Sequence, residues 1–180
     1  MRRAADVTLV GPGRTSRRRG CGNNDLDDGL RANIIGYLKA HRVMTLATSA
    51  GDAPWAAGVF YVSHDFTIYF FSDPKSRHCA NIRRNPAAAA AIHENYADWR
   101  EIRGLQIEGR VEELSVLEIP EMMSAYVAKF PFVRDLLTPE GLFRVGGKMI
   151  DARFYKLIAS RCVLLDNSKG FSHREEFLVP

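Results

Sequence analysis

Phe66-Thr-Ile-Tyr-Phe-Phe-Ser72-Asp73-Pro74-Lys75-Ser76-Arg77-His78-Cys-Ala-Asn-Ile82-Arg83-Arg84-Asn85-Pro86 is the stretch on which the fold is read. Its first part is a run of aromatic and β-branched residues, the composition of a buried strand. Asp73-Pro74 cannot continue that strand, because proline has no N–H for the ladder and suits the start of a helix. Ser72 or Asp73 can cap such a helix, which then runs to Asn85 and stops at Pro86. A helix N-terminus therefore follows directly on a buried strand. Lys75, Ser76, Arg77 and His78 crowd its first turn. Basic residues there work against the helix dipole unless an anion offsets them. Free N–H groups, the positive dipole end and two cations together suit a phosphate. The alternative reading is a solvated basic helix face.

Working outward, Asn24-Asp25 can cap a helix to about Ala40, with Leu26, Leu30, Ile34 and Leu38 on one face. Val43–Ser49 reads as a strand and Ala50-Gly51-Asp52 as a hairpin turn. Residues 54–63 form a second strand, and His64-Asp65 turn the chain into the third, which completes a meander. Residues 86–93 carry a run of alanines that reads as a strand under a close neighbour. Ile102–Leu114 alternates as a long strand with Gly109 at a bulge or close approach. Pro120 opens a helix through Lys129, Val133–Leu137 is a helical turn, and residues 141–147 read as a loop. Ala152–Asp166 reads as the final long strand, with a turn over Asn167–Gly170. The fold class is mainly β: a small antiparallel barrel with short helices.

The 180 residues and their 46% hydrophobic content suffice for one domain with a proper core. No apolar run reaches the roughly 20 residues of a membrane helix. Of the formal charge of +4, residues 1–20 hold six arginines against Asp6 alone, a net +5 that leaves −1 for the rest. A nucleic-acid partner would have to rest on that tail, so none is expected, and no membrane partner either. Residues 1–24 read as a disordered basic tail and 25–180 as the domain. Met1-Arg2-Arg3 and the apolar residues to Val10 resemble the start of a secretory signal, but Asp6 interrupts them; an organelle transit peptide or a misassigned start also fits. Cys21, Cys79 and Cys162 lie far apart, with neither metal-ligand nor disulfide-framework spacing, so structural thiols in a reducing cytoplasm are expected.

Several motifs fail. Gly146-Gly147-Lys148 lacks the P-loop's earlier glycine, where Leu142 stands, and its hydroxyl residue, where Met149 stands. The five histidines show no paired ligand spacing, and no Gly-x-Ser-x-Gly elbow exists. With no base, nucleophile or metal set, chemistry would belong to a bound cofactor. No catalytic side chain and no metal ligand is assigned.

The ordered set Tyr69-Phe-Phe-Ser72, Lys75-Ser76-Arg77-His78, Asn85-Pro86 and Ile102-Arg103-Gly104-Leu105-Gln106-Ile107-Glu108-Gly109 resembles the FMN-binding split-barrel family of pyridoxamine 5′-phosphate oxidase, over residues 27–171. Lys129-Phe130-Pro131 and Asp166-Asn167-Ser-Lys-Gly170-Phe171 resemble a bacterial subgroup without assigned function. The resemblance implies a homodimeric split β-barrel with FMN as cofactor. It puts the FMN phosphate on Ser76 and Arg77 with Lys75 and His78, and the ring near Ala57, Val59, Tyr61, Phe71 and Ser72. Gln106 is the candidate for a flavin-touching glutamine that family oxidases carry where this chain has Gly104. Two features depart from the oxidases: no arginine stands near Ala56, and no C-terminal Arg-x-His segment follows. They argue against pyridoxamine phosphate as substrate and leave flavin binding intact. The implied function is a flavin-dependent oxidoreductase acting on a small molecule. The alternatives are a flavin carrier or sensor without turnover, and a barrel using haem or a deazaflavin coenzyme.

Overall fold

A computed structural model describes residues 24–144 and 151–180. The basic tail and the Gly146-Gly147-Lys148 segment lie outside those residues. Helix α1 (Asn24–Ala40) leads into strands β1 (Val43–Ala50), β2 (Ala53–Phe60), β3 (Val62–His64) and β4 (Thr67–Ser72). Then follow α2 (Arg77–Arg84), β5 (Ala87–His93), β6 (Arg103–Glu113), α3 (Ile119–Lys129), α4 (Phe132–Leu136), α5 (Pro139–Arg144), β7 (Arg153–Asp166) and β8 (Arg174–Leu178). The strands form one antiparallel sheet in the order β2-β1-β5-β6-β7-β4-β3, with β8 also on β7. No described helix is long and apolar enough to cross a membrane.

The expected second strand is two strands. It pairs with β1 as far as Val43↔Phe60 and with β4 from Val62↔Tyr69, and it breaks at Tyr61 between them. One bent segment thus joins the two ends of the sheet order and closes the sheet into a barrel. The core inside holds Leu46, Ile68, Phe70, Ile92, Leu105, Ile107 and Leu157, all 1% exposed or less, with Ile34 and Leu38 of α1 across one end. A second cluster lies outside the sheet, where Met122 and Tyr126 of α3, Phe130 just after it and Val133 of α4 cover Val62 and Phe154.

Three further expectations change. Helix α2 begins at Arg77, not Pro74, and Ser76 rather than Ser72 or Asp73 caps it. The expected loop at 141 contains the end of α5, which Thr138 starts by accepting from the Gly141 N–H at 3.1 Å. Strand β7 is not the last: β8 pairs with it over Arg161–Leu165. Its sequence, Arg-Glu-Glu-Phe-Leu, hides the strand because Phe177 alone supplies an inward apolar residue, stacked on Phe66 at 5.0 Å.

The register of β6 and β7 shifts between Glu108 and Gly109. There a side chain on Gly109 would place Cβ 2.2 Å from the Ile158 carbonyl oxygen. Gly109→Ala must move backbone and should cost about 1–3 kcal/mol in denaturant unfolding. By contrast Gly36→Ala, in α1 with nothing within 4 Å, should gain up to about 1 kcal/mol.

Candidate functional site

Where β2 and β4 part company the barrel is split. Strand β2 has β1 on one edge and no ladder partner on the other, although it touches β4. Strand β4 pairs with β3 only over Thr67–Tyr69, so Phe70, Phe71 and Ser72 have β7 on one side alone. The stretch between these two unladdered edges, beyond Tyr61, is called the slot. At its closed end the Tyr126 hydroxyl sits 2.7 Å from the Phe60 carbonyl oxygen and 3.0 Å from that of Tyr69, its hydrogen shared between them. A slot walled by unpaired main-chain groups can bind a flat heterocycle through its edge atoms.

The open end carries the cation-rich turn. Asp73 accepts the Lys75 N–H on its side chain at 2.8 Å and the Ser76 N–H on its carbonyl at 2.9 Å, so Pro74 sits within a turn and not in the helix. Ser76 then caps α2 by accepting from the Cys79 N–H at 3.4 Å, and its carbonyl takes the Ala80 N–H. The N–H groups of Arg77 and His78 are left for an anion. The Arg77 guanidinium lies 4.5 Å from the Trp55 ring centroid, which carries it across the mouth of the slot onto β2. Helix α2 is anchored below by buried Cys79 and Ile82 and by Asn81, which donates to Thr48 at 3.2 Å. No acidic residue stands in its first turn. Burial pushes His78 below the ordinary imidazole range, so it is neutral near pH 7.

The expected residues divide. Lys75, Ser76, Arg77, His78 and Ser72 come together: the Ser72 hydroxyl is 2.6 Å from His78 Nε2. Ala57 lies on β2 opposite Leu46, half-buried. Val59 and Tyr61 point into the core, 7% and 0% exposed, and the Tyr61 hydroxyl donates to the Leu38 carbonyl at 2.9 Å. Phe71 packs edge-on against Tyr126 at 5.0 Å, under α3. Only the backbone of Val59 and Tyr61 is therefore left for a bound ring. Gln106 is not brought to the turn within one chain. It faces Val163 on β7, ten positions from Arg153, which pairs with Ser72.

Trp55 and Lys129 carry no signal of a site role in the sequence, although Lys129-Phe130-Pro131 is part of the subgroup resemblance. The Lys129 ammonium lies 4.4 Å from the Tyr61 ring centroid near the closed end of the slot, and among the described residues no carboxylate pairs with it. Burial, with Arg42 nearby, lowers its pKa to about 8.

The outer sheet face not covered by α3 and α4 bears an open groove of about 920 Å³, floored by Thr45, Ala47, Ala89, Ala91 and Gln106. Arg161 at its edge bridges Glu108 at 2.9 Å and Glu176 at 2.9 Å. Cys79 and Cys162 are buried free thiols. Among the described residues no three His, Cys, Asp or Glu side chains converge as a metal site would need.

The sequence model of the family described as pyridoxamine 5′-phosphate oxidase matches residues 30–148. A UPF0306 protein of Photorhabdus laumondii is 26% identical over 140 residues, 77% of this chain and 88% of that protein. A FAD-binding protein of Mesorhizobium loti superposes with a TM-score of 0.57 at 21% identity, over 73% of this chain and 90% of its own. A haem-binding protein of Mycobacterium smegmatis does so with 0.61 at 17%, over 80% and 56%. At these identities the two solved structures share the fold.

Lys129 gives a pH signature. Its folded pKa lies below the ordinary lysine value, so charging it opposes folding. That cost is complete below about pH 8 and disappears as pH rises toward 10.5. Lys129→Met should therefore raise denaturant stability at pH 7, with the gain shrinking between pH 8 and 10.5. An equal gain at both ends would contradict the assignment.

Proposed function

The chain belongs to the pyridoxamine 5′-phosphate oxidase family, and on that premise we propose that it binds FMN in the slot between β2 and β4. The reading continues to a flavin-dependent oxidoreductase with a small-molecule substrate. The observation that carries it is the turn itself: Arg77 laid across Trp55, two free N–H groups at a helix start, and Lys75, with no acid in the first turn. This is a receptor for a phosphate, and its alignment with the slot leaves a flat ring between the free strand edges.

The cofactor would supply hydride or electron transfer; this chain's residues bind and orient it. Arg77, Lys75 and the α2 N-terminus hold the phosphate, with Ser72, Ser76 and His78 beside them. Ala57, the β2 backbone at Val59 and the backbone of Tyr61 just beyond it form one wall, and Phe71 stiffens the other through Tyr126. Lys129 sets a positive charge at the closed end. Gln106 lies on the groove face, and we assign that face to a second copy in a homodimer, where Gln106 of one chain would serve the flavin of the other. A floor of alanines and threonine lets a partner approach closely, and burying it would remove apolar surface from water. The working compartment is taken as the cytoplasm.

FMN titrated into the purified protein should bind with quenched fluorescence and a resolved flavin spectrum. Each charge-assisted phosphate hydrogen bond contributes about 1.5–3 kcal/mol, so Arg77→Ala should weaken FMN about 10- to 100-fold. Lys39→Ala, on the exposed face of α1, should not. A Soret band in the protein as isolated, with no response to FMN, would favour haem. Bound FMN that NADH and NADPH reduce without steady turnover would favour a carrier.

A further inference from the structure

We infer that His78 carries its single proton on Nε2, and that it thereby turns the hydroxyls of Ser72 and Ser76 into two donors aimed at the cofactor phosphate. His78 is then a positioning residue for that phosphate. The inference rests on the FMN reading above and adds what the imidazole does.

One nitrogen faces two hydroxyls. His78 Nε2 lies 2.6 Å from the Ser72 oxygen and 3.1 Å from the Ser76 oxygen. An imidazole nitrogen offers either one hydrogen or one lone pair in the ring plane. If Nε2 is bare, one serine must spend its hydrogen on it. If Nε2 bears the proton, both serine oxygens can accept from it and both hydroxyl hydrogens stay free. The surroundings of Ser76 favour the second arrangement. Its oxygen already accepts from the Cys79 N–H as the helix cap. With Nε2–H as a second donor, both its lone pairs are used inward and its hydrogen has only the outward direction left. A phosphate at the α2 N-terminus attracts donors, so its presence selects this tautomer.

The ring can hold that choice. His78 is only 9% exposed, on the first turn of a helix fixed from below by Cys79 and Asn81. Burial disfavours its charged form, and a neutral ring has one proton to place. The arrangement contributes to phosphate recognition without adding a third cation beside Lys75 and Arg77. It also assigns Ser76 two tasks, helix cap and ligand donor, through different parts of one hydroxyl.

The test compares FMN with riboflavin, which has the ring but no phosphate, on the full chain. Three proteins are measured: the parent, His78→Leu, which fills the space without a donor, and His78→Gln, whose amide N–H can reach the same hydroxyls. The parent should bind FMN more tightly than riboflavin. His78→Leu should lose about tenfold of that margin, His78→Gln should keep most of it, and riboflavin affinity should be alike in all three. In the parent–FMN complex, ¹⁵N NMR of labelled histidine should show Nε2 protonated and Nδ1 bare.

An unchanged FMN margin in His78→Leu would overturn the inference while leaving FMN binding standing. So would an equal loss for FMN and riboflavin, which would mark a structural role, or a bare Nε2 in the complex. If His78→Leu does not fold, the NMR result on the parent decides alone. Failure of the parent to bind FMN would remove both the inference and the reading beneath it.

Discussion

A shared hydrogen at the fork of the barrel sets much of the rest. The segment that leaves β1 must reach β4, and it cannot ladder with both along its whole length. It breaks at Tyr61, and the Tyr126 hydroxyl bonds the carbonyls of Phe60 and Tyr69 just where the two strands separate. Buried carbonyls without partners would be costly there. With Tyr126 in place the fork is stable, and beyond it two strand edges stay open. Helix α3 thus acts at a distance on the slot: it supplies the hydroxyl, covers Phe71 and brings Lys129 over Tyr61.

The electrostatics follow from what is missing as much as from what is present. Helix α2 has two basic residues at its C-terminal end, where the dipole welcomes them, but its start has Arg77 and no acid. Arg77 finds a ring instead of a carboxylate, and Lys129 likewise finds Tyr61. Aromatic faces steady a cation without neutralising it. Other cations are paired with acids: Arg161 is shared by Glu108 and Glu176 on the groove face, and Lys156, beside the start of α3, is held 2.7 Å from Glu118, whose carboxyl falls to about 2 through that bond and those from Ser115. Beside the slot, Arg77 and Lys129 keep their charge against rings.

Serine and histidine at the turn show how little the number of polar groups says alone. Ser76 caps a helix, which most serines before a helix do. Its ability to address a ligand depends on which way its hydrogen points, and that is decided by a buried imidazole two residues on. The same logic applies to Val59 and Tyr61: they border the slot along the chain, yet the pleat turns their side chains into the core.

By itself the sequence determined what depends on neighbours along the chain. Alternation marked β6 and its bulge at Gly109, proline and glycine marked the breaks, and the order of strand, turn and basic helix start marked the cation-rich turn. These are local preferences of backbone and side chain, and they are written in consecutive residues. Only the tertiary structure decided the rest. The onset of α2 at Arg77 depends on how Asp73 folds the turn. The charged β8 is a strand because β7 offers it an edge. Lys129 meets Tyr61, and Gln106 stands away from Ser72, because of which strands β7 separates. Such pairings join residues far apart in the chain, and no local preference of either partner encodes them.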